Sequence, residues 1–460
     1  MKTKLKALAG VVTLGLGLAA AGQANATNWV MLQGTEPDGM AERARLWGFI
    51  QPTYRSTSGT ELPAGPWAGQ PMQPNMIPTD LTSDSQFQLQ RARIGVRGVA
   101  MPIDSKVNYF FLTEWGDNGI TVGKGGAGVI SDASITLNHI PGARVRLGLF
   151  KTPMSEEIFQ GIGTMDYVNF TSFTDQQLNE RHLPTDGIAA CDPAADTLYS
   201  RYCESGNAFS DFGAARDTGA MVFDAFRQGD WEHTYAVMIG NGSGVNAGNT
   251  DNNLDTRAYW SSEWIFGGQG PRREGWKLYA WMHDGKRTIL DSAELVAGNR
   301  VEREYDYERS GLGTTYRRGK YRFFAEYNQA EGMIFDGTDG GAVAGSLNNA
   351  GTAVSTFNLL PEEEADAYYL DFGYKVTPKI ELDVRYDVQN RGTKSSAPGV
   401  ERKFETVTLG AQYFFNRKSR LIVNYEFRDL EAPNLPSGAV PNQIGDAIDD
   451  RLSLQVFMAF

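Results

Sequence analysis

Asp450-Arg451-Leu452-Ser453-Leu454-Gln455-Val456-Phe457-Met458-Ala459-Phe460 is the last stretch of the chain, and its reading decides the fold. Strand side chains alternate between two faces with period two. Leu452, Leu454, Val456, Met458 and Phe460 therefore share one face, and Arg451, Ser453 and Gln455 share the other. Phe457 is the exception, an apolar residue on the polar side. Such a strand separates an apolar phase from a wet one.

The same alternation recurs at 46–55, 86–98, 105–115, 129–139, 143–151, 217–226, 231–240, 256–266, 275–283, 305–316, 320–330, 365–375, 379–390, 403–415 and 419–429. With 450–460 this makes sixteen segments, each near the 9–11 residues a tilted membrane strand needs. The connections alternate in length. Short ones such as Met101-Pro102-Ile103-Asp104, Ile140-Pro141-Gly142 and Asn416-Arg417-Lys418 have hairpin-turn chemistry. Long ones lie at 56–85, 116–128, 152–216, 241–255, 284–304, 331–364, 391–402 and 430–449. Short turns on one side and long loops on the other predict an all-β, transmembrane antiparallel barrel, with both chain ends on the periplasmic, short-turn side.

Composition agrees. After the leader no continuous apolar run is long enough for a spanning helix, yet there are 24 Phe, 19 Tyr, 9 Trp and 52 Gly. Net charge is −12, which argues against a nucleic-acid partner. At the start, Lys2, Lys4 and Lys6 precede the apolar stretch Ala7–Ala21 and the small-x-small site Ala24-Asn25-Ala26. This pattern predicts a signal peptide over 1–26 rather than a membrane anchor, which would need roughly 20 apolar residues. Residues 27–45 read as a periplasmic lead-in, and 46–460 as the barrel. The only cysteines, Cys191 and Cys203, predict a disulfide in an exported protein, worth on the order of 3 kcal/mol for so short a loop; the bland alternative is two free thiols. No metal or other cofactor is implied.

Phase within the strands locates the charge. Ala92, Ile94 and Val96 suit lipid, which sends Arg91, Arg93 and Arg97 inward. Val145, Leu147 and Leu149 do the same for Arg144 and Arg146, and Lys106 joins them from the strand between. An arginine facing lipid at mid-membrane costs about 2–4 kcal/mol, so the inward assignment has an energetic warrant. The next loop, 152–216, holds ten acids, among them Glu156, Glu157, Asp166, Asp175 and Glu180. Folded into the lumen, it would set an acidic loop against an arginine wall across a water-filled gap. Left outside, it would be a solvated lid.

The terminal strand resembles the closing strand of bacterial outer-membrane barrels, in which the last Phe, here Phe460, is part of the address read by the assembly machinery. Phe87 to Gly98, Ile130-Ser131-Asp132-Ala133-Ser134-Ile135, Arg146-Leu147-Gly148-Leu149-Phe150-Lys151-Thr152-Pro153 and Arg216-Asp217-Thr218-Gly219 resemble landmarks of the phosphate-selective porin O and P family. The resemblance implies a homotrimeric, sixteen-stranded porin in the outer-membrane bilayer, passing phosphate or similar small anions along a basic ladder. This chain departs from the family's lysine-rich pattern: only 14 of its 43 basic residues are lysine, and loop 152–216 has none. A general or cation-preferring porin governed by that acidic loop is the alternative. A barrel hydrolase is a third reading, resting on His283 beside Asp284 with Ser292 further on, and a barrel plugged by the Gly/Ala/Asn-rich segment 331–364 is a fourth.

Overall fold

Alternating residues form strands along the whole chain: Arg45–Thr57, Ser85–Ala100, Asp104–Glu114, Val129–Leu137, Arg144–Lys151, Arg216–Gln228, Trp231–Gly240 and Asp255–Gly267, then Glu274–Val296, Asn299–Arg318, Tyr321–Glu331, Glu364–Thr377, Ile380–Arg391, Arg402–Asn416, Ser419–Glu431 and Arg451–Ala459. The computed structural model describes residues 28–36, 41–57, 61, 63–64, 68–69, 85–118, 128–179, 202–204, 215–245, 248–249, 251–296, 299–335, 359–395 and 400–460. The leader 1–26, Glu180 and Cys191 lie outside them, as does the Cys203 side chain, and so does the Cys191–Cys203 pairing.

Each of the sixteen strands pairs antiparallel with its neighbours in sequence, and the first pairs with the last. Phe49 lies opposite Ala459 and Thr57 opposite Arg451, so the sheet has no free edge. The short segment Tyr202–Glu204 adds to the sheet outside this ring, against Ile289–Asp291. No helix among the described residues is long and apolar enough to cross a membrane. The crossing is made by strands, and closure satisfies every backbone group where no water could.

Outside, the wall is apolar. Leu370, Phe372 and Leu382 are exposed between buried inward neighbours, and Leu312 and Leu409 are exposed as well. So continuous a belt is out of place on a soluble surface and fits hydrocarbon. Aromatic residues gather near the short-turn end: Trp231 stacks on Trp264 at 6.0 Å, and Tyr321 meets Tyr374 at 5.4 Å. Such girdles suit the headgroup level.

Two expectations are corrected. Segment 284–304 is a β-hairpin continuing the wall outward, not a loop, with Lys286 opposite Asp306 and Thr288 opposite Glu304. Its mixed charges pair across the strands, as in the Lys286–Glu304 bridge, rather than spreading into solvent. The lead-in 27–45 is not simply periplasmic either, because residues 28–36 lie inside the barrel. Helix Trp29–Leu32 is capped by the Asn28 side chain, which accepts from Met31 N, and Trp29, Val30 and Met31 are buried. Their apolar side chains join Met221, Phe223, Met238 and Tyr259 of the inner wall.

Closure depends on a small residue. Phe460 N donates to Gly48 O at 3.0 Å, and the Phe460 ring lies over Gly48, where an added Cβ would meet it at 2.4 Å and Arg93 O at 2.5 Å. Gly48→Leu is expected to destabilise the seam by about 1–3 kcal/mol through overpacking. Loss of the compact band on unheated gels at a lower temperature than wild type would show it; an unchanged transition would refute it.

Candidate functional site

The lumen is occupied by a loop inserted from outside and by the N-terminal segment entering from the periplasmic side. The loop is the described part of 152–216, residues 152–179. It begins with helix Glu156–Phe159, capped by Ser155, whose hydroxyl accepts from Glu157 N and donates to Glu326 Oε2 at 2.9 Å. Ile158 and Phe159 enter an apolar patch of the inner wall with Phe223, Met238, Tyr259 and Trp281, and Phe159 stacks on Tyr259 at 5.1 Å. The loop crosses to the opposite wall, where Tyr167 donates to Asp371 at 2.7 Å and Asn169 to Glu426 at 2.8 Å and Ser453 at 3.0 Å. At its tip, Gly163 sits against Phe457, where a Cβ would lie 2.4 Å from the ring. This contact explains the apolar residue on the polar face of the last strand.

Three of the loop's described acids are bound by the far wall. Glu156 takes Lys277 at 2.5 Å, and Glu157 takes Arg385 at 3.2 Å. Asp166 lies between Arg272 at 2.6 Å, Arg317 at 3.2 Å, Arg322 at 3.3 Å and Arg420 at 3.8 Å. Arg322 also meets Asp371, Glu381 at 3.0 Å and Asp383 at 2.5 Å. Burial alone would raise the Asp166 carboxyl, but Arg272, Arg322, Arg317 and Arg420 together hold it well below the usual carboxylate range. Asp175 lines a separate polar cleft with Arg385, Asp387 and Arg428. Among the described residues the expected geometry, acidic loop facing arginine wall, is corrected for Glu156, Glu157 and Asp166, which pair with the far wall instead. Coulomb attraction to a direct partner at 3 Å outweighs attraction across a wet gap.

The basic stripe is divided. Arg97 pairs with Glu36, and Arg146 donates to Thr136 and to the carbonyls of Val30 and Gln33, so both hold the N-terminal segment. Arg144 pairs with Asp224 at 3.1 Å near a short turn. Lys106 is exposed just past the turn 101–103, at the rim and not on the inner wall. It shares the inward phase of Asn108 and Phe110 but lies at the turn end of strand Asp104–Glu114, where it is exposed. Arg91 and Arg93 remain on the lumen, with Arg93 salt-bridged to Glu114 at 2.6 Å.

They line a narrow cleft between wall and loop. Lys151 and Arg216 complete its basic side, with Asn118, Asn179 and the loop's Ile158, Ile162 and Phe170. Lys151 Nζ donates to Gln160 O at 2.8 Å, and Arg216 pairs with Asp132 at 3.0 Å. Sequence phase does not select Lys151 and Arg216, because they are the last and first residues of their strands, where the chain turns inward and alternation fails. The N-terminal segment meets the loop just below: Trp29 Nε1 donates to Glu156 Oε1 at 2.9 Å, and Asn28 donates to Glu232 at 2.9 Å and Thr234 at 2.7 Å. His283 is locked to Asp255 at 2.6 Å between Arg257 and Arg287, so its bonded partner is not the neighbouring Asp284.

No protein-family model and no curated protein matches the chain. Solved structures do match its fold. A Salmonella typhi OmpF complex with daunomycin aligns over 91% of this chain and 97% of its own, at 13% identity and TM-score 0.53. The outer-membrane-expressed OmpT of Vibrio cholerae aligns over 92% and 99%, at 10% identity and TM-score 0.50, and a loop L8 deletion mutant of that protein is similar, over 91% and 99%, at 11% and 0.50. The closed sixteen-strand barrel with its apolar belt is that of a bacterial outer-membrane protein.

Asp166 is the centre of the loop's attachment. Removing one partner of a buried ion pair costs about 3–5 kcal/mol, so Asp166→Asn is expected to free the loop tip and raise single-channel conductance in a planar bilayer. A carboxyl whose folded pKa is depressed stabilises fully above its unfolded value of about 3.9, and the stabilisation fades as pH falls through the folded one. Wild-type conductance should thus hold constant from neutrality to about pH 4 and rise only in stronger acid. A rise near pH 5, or none in the variant, would contradict the attachment.

Proposed function

We propose that this protein is an outer-membrane porin for passive diffusion of small hydrophilic solutes and ions, with a preference for anions set at the cleft beside Arg91 and Arg93. One observation carries the reading. Among the described residues, the cleft is lined by four basic side chains, Arg91, Arg93, Lys151 and Arg216, and by no carboxylate. The balancing acids Glu114 and Asp132 stand behind Arg93 and Arg216 rather than in the cleft. A passing anion meets donors first, in a narrow space where fixed charges are weakly screened.

The cation-preferring alternative needs the loop acids to face the solute path. Among the described acids of the loop, Glu156, Glu157 and Asp166 are each ion-paired to the far wall, which supports the anion-preferring reading. A homotrimer and recognition of Phe460 by the outer-membrane assembly machinery belong to the same proposal. They draw on the exposed apolar surface at Leu46, Val456 and Met458, beside the closing seam.

Reversal potential across a planar bilayer under a potassium chloride gradient tests the selectivity. Chloride preference is expected, and substituting Arg91, Arg93 and Lys151 together by Gln should move the reversal potential most of the way to that of a non-selective pore. Cation preference in the wild type would overturn the proposal.

A further inference from the structure

Residues 28–36 enter the barrel from the short-turn side and meet the inserted loop at Glu156. Trp29–Leu32 forms a single helical turn, which has no stability of its own, so the wall gives the segment its shape. Trp29, Val30 and Met31 are buried on the apolar patch around Met221, Phe223 and Met238. Polar bonds hold the remainder. Arg146 donates to Val30 O at 3.4 Å and to Gln33 O, and the Gln33 amide donates to Asp132. Glu36 N donates to Asn108 Oδ1 at 3.2 Å, and the Glu36 carboxylate pairs with Arg97.

None of these is a ladder bond. Among the described residues no backbone–backbone hydrogen bond joins 28–36 to a strand, and each strand of the ring already has both of its neighbours. The segment is a guest in a tube that is complete without it. The chain that follows is fixed separately at the rim: Glu42 O accepts from Val99 N at 3.2 Å, and Arg43 lies over Gly98, where an added Cβ would meet Arg43 O at 2.3 Å. Withdrawal of 28–36 would leave that attachment, the ring and the bond between Glu156 and Lys277 in place.

The inserted segment has two effects. It fills the lumen beside the loop: the space left where the two meet, lined by Asn28, Trp29, Glu156, Gln160, Tyr259 and Lys277, is about water-sized. It also engages two wall arginines, Arg97 through Glu36 and Arg146 through the Val30 and Gln33 carbonyls. We propose that residues 28–36 are a withdrawable plug that closes the channel and masks part of its charge in one movement. Inserted, the plug leaves room for little more than water and neutralises Arg97. Withdrawn, it opens the short-turn half of the lumen and returns Arg97 and Arg146 to the solute path. The open state therefore conducts more and prefers anions more strongly. The proposal rests on the porin reading and adds a regulated state to it.

The test uses the full-length protein in a planar bilayer under a potassium chloride gradient. Trp29→Ala with Met31→Ser removes the plug's apolar anchors and leaves every wall residue unchanged. Single-channel conductance is expected to rise and the reversal potential to shift further toward chloride. Glu36→Gln, a milder change that removes only the ion pair with Arg97, should shift both in the same direction by less. A synthetic peptide of residues 28–36, added to each side in turn, should reverse the changes in the double variant from the short-turn side only. A peptide of the same residues in scrambled order should not. Reversal by the peptide also shows that the variant barrel has folded with its seat intact. Wild-type values in both variants, or a rise that the peptide reverses from neither side, would overturn the plug and leave the porin reading standing. Absence of current from wild type and variants alike would bring down both.

Discussion

Everything in this protein depends on one requirement: a backbone crossing hydrocarbon must find all its hydrogen-bond partners within the protein. Closure between Arg45–Thr57 and Arg451–Ala459 meets it, and the rest follows. A closed ring has an inside that lipid cannot reach. Charged residues can then be placed at every second position without facing hydrocarbon. The ring is wide enough at sixteen strands for a channel, and wide enough that something must narrow it if solutes are to be sorted.

What narrows it is held by charge. Glu156, Glu157 and Asp166 of the loop pair with Lys277, Arg385 and the four arginines around Asp166, and Glu36 of the N-terminal segment pairs with Arg97. Each insertion thereby neutralises part of the wall it covers. In the proposed reading, the basic groups beside the loop set the solute path. Selectivity in such a lumen is a matter of which charges remain facing water after the internal pairs have formed, so total composition is a poor guide. An acidic chain with net charge −12 can present a basic cleft.

The wall was legible in the sequence because period-two alternation and turn chemistry are local. Glu381, Asp383, Arg385 and Asp387 face inward as their phase requires, and Leu382 and Val384 face out. The hairpin beyond Asp284 was missed because mixed charge reads as solvation unless the partner strand is known. The lumen was less legible. Met221, Phe223 and Met238 break the polar-inside rule, and their reason, docking of Ile158 and Phe159, lies far away in the chain. The exception at Phe457 carried the same message, since an apolar residue on a wet face needs something to touch it. Pairing of Glu156 with Lys277 and of Asp166 with Arg272 spans over a hundred residues, and no local pattern encodes it. The lodging of Trp29 in the barrel is of this kind too.

The meeting of Trp29 with Glu156 joins two segments that reach the middle of the lumen from opposite mouths. One continues to the periplasmic rim through Glu36, the other to the outer surface through Thr152. A rod is thus assembled across the membrane inside a rigid tube, with a single indole–carboxylate bond and the Trp29–Gly161 contact as its joint. A substitution at either partner of that bond therefore bears on both inserted segments at once.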